Sequence, residues 1–128
     1  MLLPRCSLGP TRIVTLAAIL SLSLIGCGKK APEAIDPNAA AQKVEGSFEQ
    51  ASPEVKTMVD NALEAMANNN LPRAHVLLQT LVGRTDLTPD QRDVITSSLL
   101  GVGEKLRESA ASGDEKAQEF QRMHQSSK

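Results

Sequence analysis

The chain has no tryptophan and no tyrosine, and its only phenylalanines are Phe48 and Phe120. A base-stacking platform, an aromatic sugar cleft or an aromatic cage cannot be built from two such rings. Only two histidines are present, His75 and His124, with no His-Glu or Cys-Cys spacing around them of the kind that metal sites use. Positive charge is also scarce: 14 Lys and Arg face 15 Asp and Glu. Without a basic stripe to follow a phosphate backbone, nucleic acid is not an expected partner. The longest apolar run, Ile13 to Ile25, has 13 residues. A spanning helix needs about 20 to cross the hydrocarbon layer, so this run is too short.

The run has the surroundings of a secretory leader. Arg5 and Arg12 precede it, no acidic residue occurs before Glu33, and small residues follow it. It closes on Leu24-Ile25-Gly26-Cys27, then Gly28-Lys29-Lys30. That tetrad resembles the lipobox of bacterial lipoproteins, with Ile25 bulkier than the commonest residue at its position. The resemblance implies a thioether-linked diacylglycerol on Cys27, cleavage of the Gly26–Cys27 bond and acylation of the new N-terminus. No cofactor beyond this covalent lipid is expected. Two acyl chains hold a small protein stably on a bilayer, since each buried methylene contributes about 0.8 kcal/mol. Cleavage would remove Cys6, leaving Cys27 without a disulfide partner. Gly28 is not the Asp that favours inner-membrane retention in enterobacterial lipoproteins. By that resemblance the protein would sit in the outer membrane, facing the periplasm.

The expected organisation is therefore 1–26 as cleaved signal, 27–51 as lipidated cysteine and tether, 52–126 as a helical domain and 127–128 as a tail. Loss of Arg5 and Arg12 leaves 12 basic against 15 acidic residues, a net charge of −3. Residues 28–51 carry large apolar side chains only at Ile35, Val44 and Phe48. That is too little apolar surface to offset ordering entropy, so the segment reads as flexible or weakly helical. As a coil it spans roughly 25–30 Å. A short helix from Ala39 to Val44 is expected, capped by Asn38 and stopped by Gly46-Ser47. Lys29 and Lys30 either rest against anionic headgroups or are ordinary solvated charges.

Beyond residue 51 the apolar periodicity is helical. Ser52-Pro53 opens a helix with Val55, Val59, Ala62 and Met66 on one stripe, ended by Asn68-Asn69-Asn70. A second helix, from Leu71 or Pro72 to Val82, presents Ala74, Leu77, Leu78 and Leu81 and stops at Gly83. The short connection implies an antiparallel pair. Thr88-Pro89-Asp90-Gln91 is a capping box opening a third helix, with Ile95, Leu99, Val102 and Leu106 inward. Gly101 and Gly103 within it either allow close packing or mark a bend. Ser112-Gly113-Asp114-Glu115 reads as another capping box, before a last short helix with Ala117 and Phe120 inward. The predicted fold is all-α, a small antiparallel bundle of three to four helices behind a flexible tether.

Residues 55–84 resemble a tetratricopeptide repeat. Ala62 and Ala74 fall on its small positions, and Ala65, Leu71, Leu78 and Leu81 on other apolar ones. Met58 stands where the family has an aromatic, and Pro89 comes three residues late. One period on, Ile95 and Leu99 fit but Thr96 occupies the small position. The likeness covers about one repeat and implies a tetratricopeptide-like hairpin.

No residues form a catalytic pattern. His75, one turn from Leu71 and Leu78, reads as a partly buried structural histidine, and His124 as solvated in a fraying terminus. Asp86, Asp90 and Asp93 bracket a helix start, where acidic side chains favour the dipole. The expected function is non-enzymatic: a lipid-anchored envelope adaptor or scaffold that docks a protein partner. A homo-oligomeric structural spacer is the alternative, followed by a small-ligand binder, which would need polar residues converging in a pocket.

Overall fold

Five helices follow one another from Pro37: α1 (Pro37–Ser47), α2 (Pro53–Ala67), α3 (Leu71–Val82), α4 (Pro89–Ala111) and α5 (Glu115–Ser126). The computed structural model describes residues 30–127. The lipobox residues Leu24, Ile25, Gly26 and Cys27 and the rest of the expected leader lie outside the described residues, as does Lys128. No strand occurs among the described residues, and the fold is all-α. None of these helices is long and apolar enough to cross a membrane.

Every helix starts on a side-chain cap. Asp36, Ser52, Asn70, Thr88 and Asp114 each accept a hydrogen bond from a backbone N–H in the first turn. Such a cap contributes about 1 kcal/mol by satisfying a donor that has no intrahelical partner. Proline stands in the first turn of α1 to α4, where its missing N–H removes nothing. The Thr88 box closes in both directions, with Thr88 Oγ1 accepting from Gln91 N–H and Gln91 Oε1 from Thr88 N–H. The pattern at 112–115 resolves differently from expectation. Ser112 ends α4, its hydroxyl donating to the Glu108 carbonyl, and Asp114 caps α5. Gly113, at φ +96°, makes the corner between them in a conformation that glycine adopts without strain.

Helices α2 and α3 form the expected hairpin, closed by Asn68-Asn69-Asn70 with Asn69 left-handed at φ 53°. Helix α4 packs along α3, and Leu78, Leu81, Ile95 and Val102 are fully buried. The linker from α3 to α4 is pinned by arginines. Arg92 donates to the carbonyls of Val82 and Arg84, and Arg84 pairs with Asp86 and Glu54.

The expected count of three to four helices is corrected to five among the described residues, and the expected flexible stretch 27–51 is corrected over its second half. Asp36, two residues earlier than Asn38, caps α1, and the helix runs through Gly46. Ala40, Val44 and Phe48, four residues apart, are 0, 1 and 2 % exposed and belong to the core. A count of apolar residues misjudged this segment because its few large side chains share one phase. Its partner is α4. Ile35 N–H donates to the Ser97 carbonyl at 3.1 Å, and Gln91 Nε2 donates to the Ser47 carbonyl at 3.1 Å. The start of α1 thus lies by the middle of α4 and its end by the start of α4, so the two run in opposite directions. Gly101 permits this approach: a Cβ there would stand 2.7 Å from the Ile35 carbonyl carbon. The alternatives left open for this glycine resolve to close packing, against an extended segment.

Candidate functional site

The last helix is attached by its inner face. Ala117 is buried, Gln118 Nε2 donates to the Ala110 carbonyl of α4 at 3.0 Å, and Phe120 is half-buried. One turn beyond Phe120 comes His124, and opposite both stands His75 of α3. The ring centroids are 5.2 Å apart for His75–Phe120 and 5.5 Å for His75–His124, both edge to face. Phe120 and His124 stack at 5.8 Å. A chain poor in rings has gathered three of them in one place.

Electrostatics at the cluster favour neutral imidazole at His75. Its Nδ1 is buried with no hydrogen-bond partner. Burial, and then the neighbouring His124, push its pKa below the ordinary histidine value. The expectation of a solvated His124 in a frayed end is corrected: it sits in α5, partly buried, against Phe120. Its stacking partner four residues back was legible in the sequence, since i and i+4 share a helix face. The contribution of His75, from 49 residues upstream, was not.

Beside the rings, Leu106 and Arg107 of α4 and Gln121 and Gln125 of α5 complete a cleft of about 290 Å³. Beside it, on the other side of Arg107, lies a broader groove of about 440 Å³ between α4 and α5, flanked by Gln118 and Arg122. Arg107, Gln121 and Gln125 line both, so the two hollows adjoin along α5. No carboxylate lines either. Arg107 and Arg122 are exposed and make no ion pair among the described residues. Two guanidinium groups and three amides give a lining able to donate many hydrogen bonds, on a chain with a net negative charge. Met123, on the same helix, is the most exposed of the large apolar side chains among the described residues, at 57 %.

Other hollows are differently made. The one between the α2–α3 and α4–α5 corners is lined by Asn70 and Asp114, both engaged as helix caps. A shallow hollow between α1 and α2 is rimmed by Glu45, Glu49, Asp60 and Lys56. Among the described residues, no group of three or more His, Cys, Asp or Glu is placed to hold a metal ion. Asp86, expected to favour the helix dipole, is held by Arg84, whose hydrogen bonds keep its carboxyl below the usual range. Asp90 lies in the first turn of α4 as expected.

Comparison with protein-family models, with curated proteins and with solved structures finds no match to this chain.

Proposed function

We propose that the protein is a lipid-anchored bacterial envelope lipoprotein that acts as a non-enzymatic adaptor, docking an acidic segment of a protein partner along α5. The observation that carries the docking face is the carboxylate-free groove lined by Arg107 and Arg122. Planar guanidinium forks match carboxylates bidentately, and charge complementarity selects the partner and speeds encounter. The anchor rests on Leu24-Ile25-Gly26-Cys27, with diacylglycerol on Cys27 and cleavage before it. Gly28 favours the outer membrane, with the domain facing the periplasm. The start of the packed chain at Ile35 shortens the tether to eight residues from Cys27, a reach of at most about 28 Å. The adaptor would therefore work within a domain's width of the bilayer.

The α2–α3 pair is read as a tetratricopeptide-like hairpin. In support, Ala62 and Ala74 at the small positions are 1 and 0 % exposed, and Ala65, Leu71, Leu78 and Leu81 are buried.

The test is in-cell crosslinking of the tagged protein with mass spectrometry of what co-purifies, beside Cys27→Ala and an Arg107→Glu/Arg122→Glu variant. The expected result is one dominant partner with an acidic segment, lost in both variants. Both arginines are exposed, so the double variant should stay within about 1 kcal/mol of wild-type stability. Capture unchanged by charge reversal refutes the groove, and crosslinks only between copies of this chain transfer the function to a homo-oligomeric spacer.

A further inference from the structure

We propose that α5 is a proton-operated flap, docked on α3 and α4 while His75 is neutral and released when His75 takes up a proton. Its consequence for partner capture rests on the docking reading above, whereas the motion belongs to the protein alone and is measured without a partner.

His75 meets α5 through a contact made of rings. Its neighbours across the α3–α5 contact are the rings of Phe120 and His124, at 5.2 and 5.5 Å between centroids. Nδ1 is enclosed with no acceptor in reach. A proton added to it would create a charged donor with neither water nor a carbonyl to receive it. The charged or titratable groups lining the cleft beside it are Arg107 from α4 and His124 from α5; α2 adds none to the cleft wall, and no carboxylate lines it. Of these, His124 is the group that bears on the charge of His75, after burial itself. The Phe120 ring offers a cation only the weak attraction of an aromatic quadrupole.

Release relieves all of this at once. With α5 away, His75 is hydrated and His124 moves off with its helix. The helix is lightly held: Ala117 is its one buried residue, Phe120 packs half-buried against the core, and the Gln118–Ala110 hydrogen bond lies near its first turns. The depressed pKa of docked His75 agrees in sign. The docked form holds a proton less readily than the released form, so falling pH favours release. The effect begins below the free-histidine value of about 6.5. While one proton is taken up on opening, the opening constant rises about tenfold per pH unit. It levels off once the docked form is itself protonated.

The experiment is hydrogen exchange of the full chain in detergent micelles between pH 7.5 and 5, corrected for intrinsic rates. Protection of 115–126 should fall as pH drops below 6.5, by at most about tenfold per pH unit and levelling off at lower pH, while protection of 53–67 stays constant. His75→Gln should abolish the pH dependence. His124→Gln should retain it in weaker form, because burial is the larger cause at His75. Equal α5 protection at pH 7.5 and 5 in the wild type overturns the proposal, as does a His75→Gln variant that opens as steeply. Should that variant loosen α5 at every pH, NMR titration of His75 in the wild type decides. A midpoint below the free-histidine value supports the flap, and one at or above it overturns it.

Discussion

Gly101→Ala offers the sharpest test of how α1 is held. Alanine in a helix interior is about 1 kcal/mol more favourable than glycine, so propensity alone predicts a more stable protein. The surroundings predict the reverse. The added methyl carbon would overlap the Ile35 carbonyl oxygen and lie 2.7 Å from its carbon and 3.3 Å from its nitrogen. These are backbone atoms, so no side-chain rotation relieves the contact. Ordinary contact at 3.5–4.0 Å requires the segment to move off by about 1 Å or more. That stretches the 3.1 Å bond from Ile35 N–H to the Ser97 carbonyl beyond useful range, a loss of about 1 kcal/mol. Overpacking adds about 1–3 kcal/mol. After subtracting the propensity gain, the domain should lose about 1–3 kcal/mol, and Tm should fall by about 5–20 °C. Gly103 is the internal control, since a Cβ there meets nothing within 4 Å. Gly103→Ala should raise Tm by about 4–8 °C. Thermal unfolding followed by circular dichroism measures both. If Gly101→Ala matches or exceeds the wild type, the backbone contact at Ile35 does not hold α1 in place.

Two further substitutions probe the same attachment. Phe48→Ala removes a ring that is 2 % exposed at the end of α1 and should destabilise by about 3–5 kcal/mol in urea unfolding; a change below 1 kcal/mol would mean that α1 does not belong to the folding unit. Gln91→Ala deletes both the return bond of the Thr88 capping box and the donor to the Ser47 carbonyl. It should cost about 1–2 kcal/mol, with faster hydrogen exchange in 37–47 than in 53–67; uniform exchange would separate Gln91 from α1.

How far the fold was legible depended on how local its cause is. The start of α4 was readable in Thr88-Pro89-Asp90-Gln91 because a capping box is satisfied within four residues. The α2–α3 hairpin was readable from its apolar stripes and the three asparagines, which tolerate left-handed backbone. Helix α1 was half legible. Its existence was signalled, but its docking was not, because that depends on Gly101, 66 residues beyond the Ile35 backbone it receives. Ser112 was misread because a hydroxyl at a helix end can serve either the helix it closes or the next one, and here it bonds back to Glu108. At the candidate site, Phe120 and His124 could be paired from their spacing, whereas His75 entered only through the packing of α5 on α3.

The sequence by itself determined the all-α class, the capped starts of α2 and α4 and the apolar stripes, all of which follow from interactions within a turn or two of chain. Tertiary structure alone decided that α1 is part of the core, that His75 faces two rings of α5, and that Arg107 and Arg122 flank one groove. Each of these joins residues distant in the chain, and the choice among such pairings is made by steric fit: an α4 surface open at Gly101, and an α5 that can bury only one face. Periodicity specifies which side of a helix turns inward, but not which neighbour it will meet there.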